Sequence, residues 1–144
     1  MDRNILFLCT GNSARSQMAE GLLRKRAGSH FRAFSAGTRP AAEVFPPVVK
    51  VMAEIGLDIS GQKPKGAERF LGAVYFEAVV VVCADAEKEC PSIFGPAKRL
   101  FWPFEDPAAV SGSEEGVLAV CRRVRDQIDM KIRDWLEGQG IVPE

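Results

Sequence analysis

A cysteine separated from an arginine by five residues is the stretch of this sequence best suited to chemistry on a tetrahedral oxyanion. It reads Cys9-Thr10-Gly11-Asn12-Ser13-Ala14-Arg15 and is followed by Ser16. Small residues let successive backbone N–H groups turn toward one centre, and a helix opening after them aims its positive end at the same point. The Arg15 guanidinium adds a planar, bidentate fork for such an anion. Thr10, Gly11, Asn12, Ser13, Ala14, Arg15 and Ser16 are therefore the expected oxyanion-binding residues, with Cys9 at their head. A free thiol with a pKa of about 8.5 is only ~3% ionised at neutral pH, and electropositive surroundings lower that pKa to roughly 3.5–7.5. The sequence thus predicts an activated Cys9 thiolate to which Ser16 donates a further hydrogen bond. The alternative is a buried cysteine ahead of an ordinary strand-to-helix turn. Gly-x-x-x-x-Gly-Lys-[Ser/Thr] and Gly-x-Gly-x-x-Gly are both absent. A cysteine heading the loop points instead to covalent attack on the bound anion.

The elements that must position this loop follow from hydrophobic patterning. Asn4 to Leu8 is too uniformly apolar for a strand with one solvated face, so it reads as a buried strand. Arg15 to Ala27 carries Met18, Ala19, Leu22 and Leu23 at helical spacing. It ends in Arg24, Lys25 and Arg26, a basic last turn expected to be solvated, with Gly28 as its stop. Phe31 to Ser35 is a second strand, with Ala36-Gly37 turning out of it. Pro46 and Pro47 open a helix that Val48, Val49, Met52, Ala53 and Ile55 carry to Gly56. Asp58 to Gly72 is polar and reads as a loop with a short helix. Glu77 to Cys83 is the clearest strand and is expected at the sheet centre. Residues 84 to 90 can form a helical turn or two, and Lys98 to Trp102 is the last strand. A C-terminal helix runs from Glu114 to about Glu137 with the stripe Val117, Cys121, Val124, Ile128, Ile132 and Trp135. Cys121 belongs to that stripe, so it is expected to pack. Strands alternating with helices predict an α/β protein with a parallel sheet and helices on both faces. In such sheets ligands bind beyond the carboxyl ends of the strands, the edge to which Cys9, Ser35, Cys83 and the loop after Trp102 all fall.

Composition narrows the function classes. A chain of 144 residues most simply forms one domain, and formal neutrality gives no basic excess for nucleic acid and no acidic tail. The longest apolar run, Ala78 to Ala84, is too short to span a bilayer, and no signal-peptide pattern opens the chain. A cytoplasmic protein without nucleic-acid or membrane partners is expected. Structural disulfides are rare there, so Cys9, Cys83, Cys90 and Cys121 read as chemistry or core. With His30 the only histidine and no Cys-x-x-Cys pair, neither a zinc site nor a histidine-dependent hydrolase is expected.

Residues 9 to 21, Cys-Thr-Gly-Asn-Ser-Ala-Arg-Ser-Gln-Met-Ala-Glu-Gly, resemble the opening of the low-molecular-weight protein tyrosine phosphatase superfamily. Within it, they look most like the thioredoxin-coupled arsenate reductases. The resemblance covers nearly the whole chain, through Ser35-Ala36-Gly37, Asp58-Ile59-Ser60-Gly61-Gln62, Cys83, Cys90 and Asp106-Pro107-Ala108. It implies a small four-stranded parallel sheet flanked by helices. It also implies Cys9 as nucleophile, Arg15 as oxyanion clamp, Asn12 as the residue that pins the loop, and Asp106 as general acid, with Glu105 a neighbouring rival. In the reductase pattern Cys9 attacks arsenate, Cys83 displaces arsenite, and Cys90 closes a Cys83–Cys90 disulfide that thioredoxin reduces. Arsenate or a phosphate-like oxyanion is then the substrate, thioredoxin the electron donor, and no cofactor is tightly bound. Some reductases of this kind bind potassium beside the loop. Asn12, Glu20 and Ser35 fit that pattern, whereas the acidic partner expected after Ser60 is missing, which leaves potassium open but unsupported.

Two departures bear on the branch. Ala14 stands where many members carry a second loop cysteine, and Ala108 stands where the phosphatases place a tyrosine that walls an aromatic substrate. A phosphatase with incidental cysteines and a non-catalytic oxyanion-binding regulatory domain are the alternatives.

Overall fold

Four short strands and four helices alternate along the chain, in a computed structural model that describes residues 3–89 and 95–144. The order is β1 (Asn4–Cys9), α1 (Arg15–Ala27), β2 (Arg32–Gly37), α2 (Pro46–Ala53), β3 (Ala78–Val81), α3 (Ala84–Glu89), β4 (Lys98–Phe101) and α4 (Glu114–Gly138), with single 310 turns at Ala67–Phe70 and Pro107–Ala109. The strands form one parallel sheet in the order β2-β1-β3-β4. Its two inner strands read as unbroken apolar runs because both of their faces are covered. Ile5, Leu6, Phe7 and Leu8 are each at most 1% exposed, and burying side chains of this size contributes about 1.5–3 kcal/mol apiece.

Side chains alternate between the two sheet faces. On one face Phe7 meets Trp102, whose ring meets Trp135 of α4, while Ser35 reaches Glu20 of α1. On the other, Phe34, Phe70 and Phe76 make three edge-to-face contacts at 5.4–5.8 Å. The α4 stripe buries Cys121, Val124, Ile128 and Ile132, and adds Leu118 and Leu136. Among the described residues no helix is long and apolar enough to cross a membrane.

Three details differ from the sequence reading. Ala36 and Gly37 do not turn out of β2; they pair with Leu8 and Cys9 and extend it to the level of the cysteine. A Cβ on Gly37 would lie 2.4 Å from the Thr10 carbonyl oxygen, so only glycine admits the loop's backbone beside this end of the strand. Strand β3 is shorter than the apolar run that announces it, its regular pairing ending at Val81. The basic end of α1 is not simply solvated. Arg24 pairs with Glu20, Lys25 donates to the Ile55 carbonyl, and Arg26 makes a two-pronged contact with Asp129 of α4.

Registration brings the carboxyl ends of the strands to one level. Cys9 pairs with Gly37, Leu8 with Val81, and Val81 with Phe101. Beyond them the ladder continues loosely through Val82 N–H to Leu8, Trp102 N–H to Val81 and Phe104 N–H to Val82. The chains leaving β1, β3 and β4 therefore open onto a common edge.

Candidate active site

Residues 9–15 wrap into a loop between β1 and α1, and its carbonyls face outward. Each from Cys9 to Ala14 accepts a hydrogen bond from outside the loop's inner surface. The donors, in order, are the N–H of Thr38, of Arg39 and of Ala41, the side chain of Gln17, and the N–H of Phe45 and of Met18. With the carbonyls engaged on the rim, the Asn12 N–H turns inward and reaches Cys9 Sγ at 3.0 Å. No side chain caps the start of α1 at Ala14, so its first N–H groups stay available to an anion. The cavity in front of this loop is about 210 Å³, lined by Cys9, Thr10, Gly11, Ser13, Ala14, Arg15, Asp85 and Asp106. That volume suits a small oxyanion.

Hydrogen bonding around Cys9 is directional. Ser16 Oγ accepts from Asn12 Nδ2 at 2.8 Å, which leaves its own proton to donate to Cys9 Sγ, also at 2.8 Å. Nonetheless, burial pushes the Cys9 thiol above its ordinary pKa, and the nearby Cys83 adds to the effect. The Ser16 and Asn12 hydrogen bonds and the Arg15 charge pull against it. This corrects the sequence reading, which weighed the electropositive loop and not the desolvation of a sulfur 2% exposed.

Arg15 and Asp106 face one another across the cavity mouth. Arg15 Nη1 donates to the Phe104 carbonyl at 3.0 Å, and its Nη2 lies 3.6 Å from Asp106 Oδ2. The other Asp106 oxygen accepts from Ala108 N–H at 2.9 Å, capping the 310 turn. Glu105 turns the other way and pairs with Arg123 of α4. Of the two acids, only Asp106 lines the cavity.

Cys83 leaves β3 at the same edge, and its Sγ lies 3.4 Å from Thr10 Oγ1. Cys9, Cys83 and Cys121 are free thiols, and Cys121 is wholly buried on α4. Cys90 lies outside the described residues. Asp85, a cavity residue that the sequence did not single out, follows Cys83 on the first turn of α3.

The resemblance names Asn12 as the residue that pins the loop, but nothing in the sequence shows its partners. Asn12 adopts a left-handed backbone (φ 51°), and its Oδ1 accepts from Lys65 N–H and Gln17 Nε2, both at 3.0 Å. Gln17 Nε2 also reaches the Lys63 carbonyl at 3.1 Å, and the Lys65 carbonyl accepts from Gly37 N–H at 2.9 Å. The polar segment read as a loop with a short helix is thus stitched to the cysteine loop. Beside it, Ser35 Oγ donates to the buried Glu20 Oε1 at 2.7 Å. The Lys65 ammonium lies 3.2 Å from Ser35 Oγ, 3.2 Å from the Lys63 carbonyl and 3.6 Å from Glu20 Oε1. It stands among the oxygens that a potassium ion would use. A second cation about 4 Å away would cost roughly 4 kcal/mol at an intermediate dielectric, so the residues present do not fit potassium. Among the described residues no group of three His, Cys, Asp or Glu side chains is placed to hold a metal.

The low molecular weight phosphotyrosine protein phosphatase family matches residues 4–140, and this chain belongs to it. An arsenate reductase of Halalkalibacterium halodurans is 44% identical over 133 residues, spanning 92% of this chain and 94% of that one. A solved arsenate reductase in the phosphate binding state superposes with a TM-score of 0.79 at 28% identity, covering 94% and 98% of the two chains. A thioredoxin-dependent arsenate reductase of Corynebacterium glutamicum superposes at 0.71 with 29% identity, matching 95% of this chain and 61% of the other.

Proposed function

We propose that this chain is an arsenate reductase that works through three cysteines and is recharged by thioredoxin. One observation carries the reading: two free thiols, Cys9 and Cys83, stand at one strand edge, with the Thr10 hydroxyl 3.4 Å from the second of them. Phosphoester hydrolysis has no use for a second thiol, whereas a two-electron reduction needs one. The family membership and the arsenate reductases among the relatives support the same conclusion.

In the proposed sequence, arsenate sits on the N–H groups of residues 10–15 with Arg15 across its oxygens. The Cys9 thiolate attacks arsenic, Asp106 protonates the departing arsenate hydroxyl, and water leaves. The Cys83 thiolate then attacks Cys9 Sγ. The sulfur–arsenic electron pair stays on arsenic, which leaves as arsenite, and a Cys9–Cys83 disulfide remains. Attack by Cys90 on Cys83 Sγ returns Cys9 as thiolate and moves the disulfide to Cys83–Cys90, where a reduced dithiol protein of the thioredoxin type removes it. Thiols cycling in this way belong in a reducing compartment such as the cytoplasm.

The test is a pair of assays on the same preparation. Arsenate-dependent NADPH oxidation in the presence of thioredoxin and its reductase is expected to proceed, with weak aryl phosphate hydrolysis beside it. Efficient aryl phosphate hydrolysis without arsenate turnover would overturn the reading in favour of a phosphatase.

A further inference from the structure

We infer that Lys65 is a positioning residue whose ammonium acts as the built-in counter-cation of Glu20, so that the oxyanion loop is ordered without a monovalent metal ion. The inference rests on residues 9–15 being the oxyanion site. It goes beyond that reading by naming what holds the site's shape.

The argument begins with Glu20. Its side chain is 7% exposed, and its two oxygens have separate partners: Arg24 Nη2 at 2.9 Å on Oε2, and the Ser35 hydroxyl at 2.7 Å on Oε1, with Lys65 Nζ behind it at 3.6 Å. Arg24 is 55% exposed, while Lys65 is 18% exposed, so the screened partner is Arg24 and the retained one is Lys65. A buried carboxylate needs a compensating charge, and removing one member of such a pair leaves the other uncompensated. Lys65 is also the residue through which this ion pair touches the active site. Its N–H holds Asn12 Oδ1, its carbonyl holds Gly37, and its ammonium is anchored on Ser35 and on the carbonyl of Lys63, which itself accepts from Gln17. Asn12 is the loop residue in left-handed conformation whose N–H points at Cys9 Sγ. Displacing Lys65 therefore loosens the peptide that presents a donor to the reacting sulfur. The three oxygens around its ammonium are a set that a small bare cation accepts equally well once the ammonium is gone.

The experiment compares the whole protein with Lys65→Met and with the double variant Glu20→Gln/Lys65→Met. The readouts are calorimetric binding of inorganic phosphate and the thermal midpoint, in potassium chloride and in tetramethylammonium chloride at equal ionic strength. In tetramethylammonium, Lys65→Met should bind phosphate about tenfold more weakly than the unaltered protein and melt lower, as expected for a buried carboxylate, coupled to the loop, whose remaining cationic partner is the exposed Arg24. Potassium, which fits the vacated space, should restore most of both losses, while the unaltered protein responds equally to the two salts. The double variant, with no buried carboxylate left to balance and Arg24 exposed to solvent, should bind phosphate within about threefold of the unaltered protein and ignore potassium. A Lys65→Met protein that matches the unaltered one, or whose defect potassium leaves in place, would overturn the inference, as would a double variant as impaired as the single one. If Lys65→Met folds only in potassium, that itself is the expected rescue. Failure of the unaltered protein to bind phosphate would count against the oxyanion reading. The melting response of Lys65→Met to potassium would still decide the role of Lys65.

Discussion

Around Cys9, every carbonyl from Cys9 to Ala14 is bonded to the protein behind it. Beyond Cys83, by contrast, the chain enters a six-residue helix whose first two residues, Ala84 and Asp85, are exposed and whose third, Ala86, is buried. The first region is fixed by hydrogen bonds from residues 38–45, Gln17 and Lys65; the second rests against β1 and β3. The difference matches the two tasks proposed for them. An anion cradle gains from donors that need no rearrangement when charge develops. A relay that passes a disulfide from one thiol to another must instead move. If positions 83 to 90 were helical throughout, their seven steps would amount to roughly 10 Å at about 1.5 Å per residue. A disulfide requires Cα atoms within roughly 7 Å.

Changes at the fixed end should be the most damaging. Cys9→Ser is expected to abolish arsenate turnover and any aryl phosphate hydrolysis together, because a hydroxyl stays protonated where a thiolate is needed. Turnover near the unaltered rate in a steady-state assay would remove Cys9 from the mechanism. At the movable end the two activities should separate. Cys90→Ser should stop multiple-turnover arsenate reduction while leaving aryl phosphate hydrolysis largely intact, since hydrolysis returns Cys9 unchanged and consumes no electrons. Normal multiple turnover by Cys90→Ser with thioredoxin would break the relay.

Smaller effects probe how firmly the cradle is held. Gly37→Ala places a methyl 2.4 Å from the Thr10 carbonyl oxygen, and relieving that overlap should cost about 1–3 kcal/mol, read as a lower melting midpoint and weaker phosphate binding. Ser16→Ala removes the proton donor to Cys9 Sγ, which lowers that thiol's pKa. Its loss should raise the pKa further, so the rising limb of the pH–rate profile moves to higher pH. Activity should be several-fold lower at neutral pH and recover under alkaline conditions. An unmoved profile would show that Ser16 does not tune the sulfur.

Much of this was legible in the chain because local pattern and fold agree. The run Ile5-Leu6-Phe7-Leu8 could only be a strand covered on both faces, and a cysteine ending it lies at the ligand-binding edge of a parallel sheet. The spacing from Cys9 to Arg15 carries the loop within itself. What stayed hidden depends on contacts far apart in sequence. Nothing near Lys65 announces that its peptide will meet Asn12, 53 residues away. Nor does the alternation of β2 show that Gly37 must back directly onto Thr10. The basic last turn of α1 looked solvated because Asp129, the partner of Arg26, belongs to α4, 103 residues later. The sign of the Cys9 shift was misjudged for a related reason: electropositive neighbours can be counted in a sequence, whereas loss of water around a sulfur cannot.

The contrast between the fixed cradle and the movable relay can be measured directly by amide hydrogen exchange. The comparison is between the fully reduced protein and the protein oxidised by arsenate, with the Cys83–Cys90 disulfide verified by mass spectrometry. Protection of the amides that donate to the loop's carbonyls, at Met18, Thr38, Arg39, Ala41 and Phe45, should be the same in both forms, because those hydrogen bonds do not take part in the reaction. Protection across 84–89 should fall on oxidation, since the proposed relay brings the two sulfurs together by opening α3. Unchanged protection across 84–89 with that disulfide in place would contradict the account.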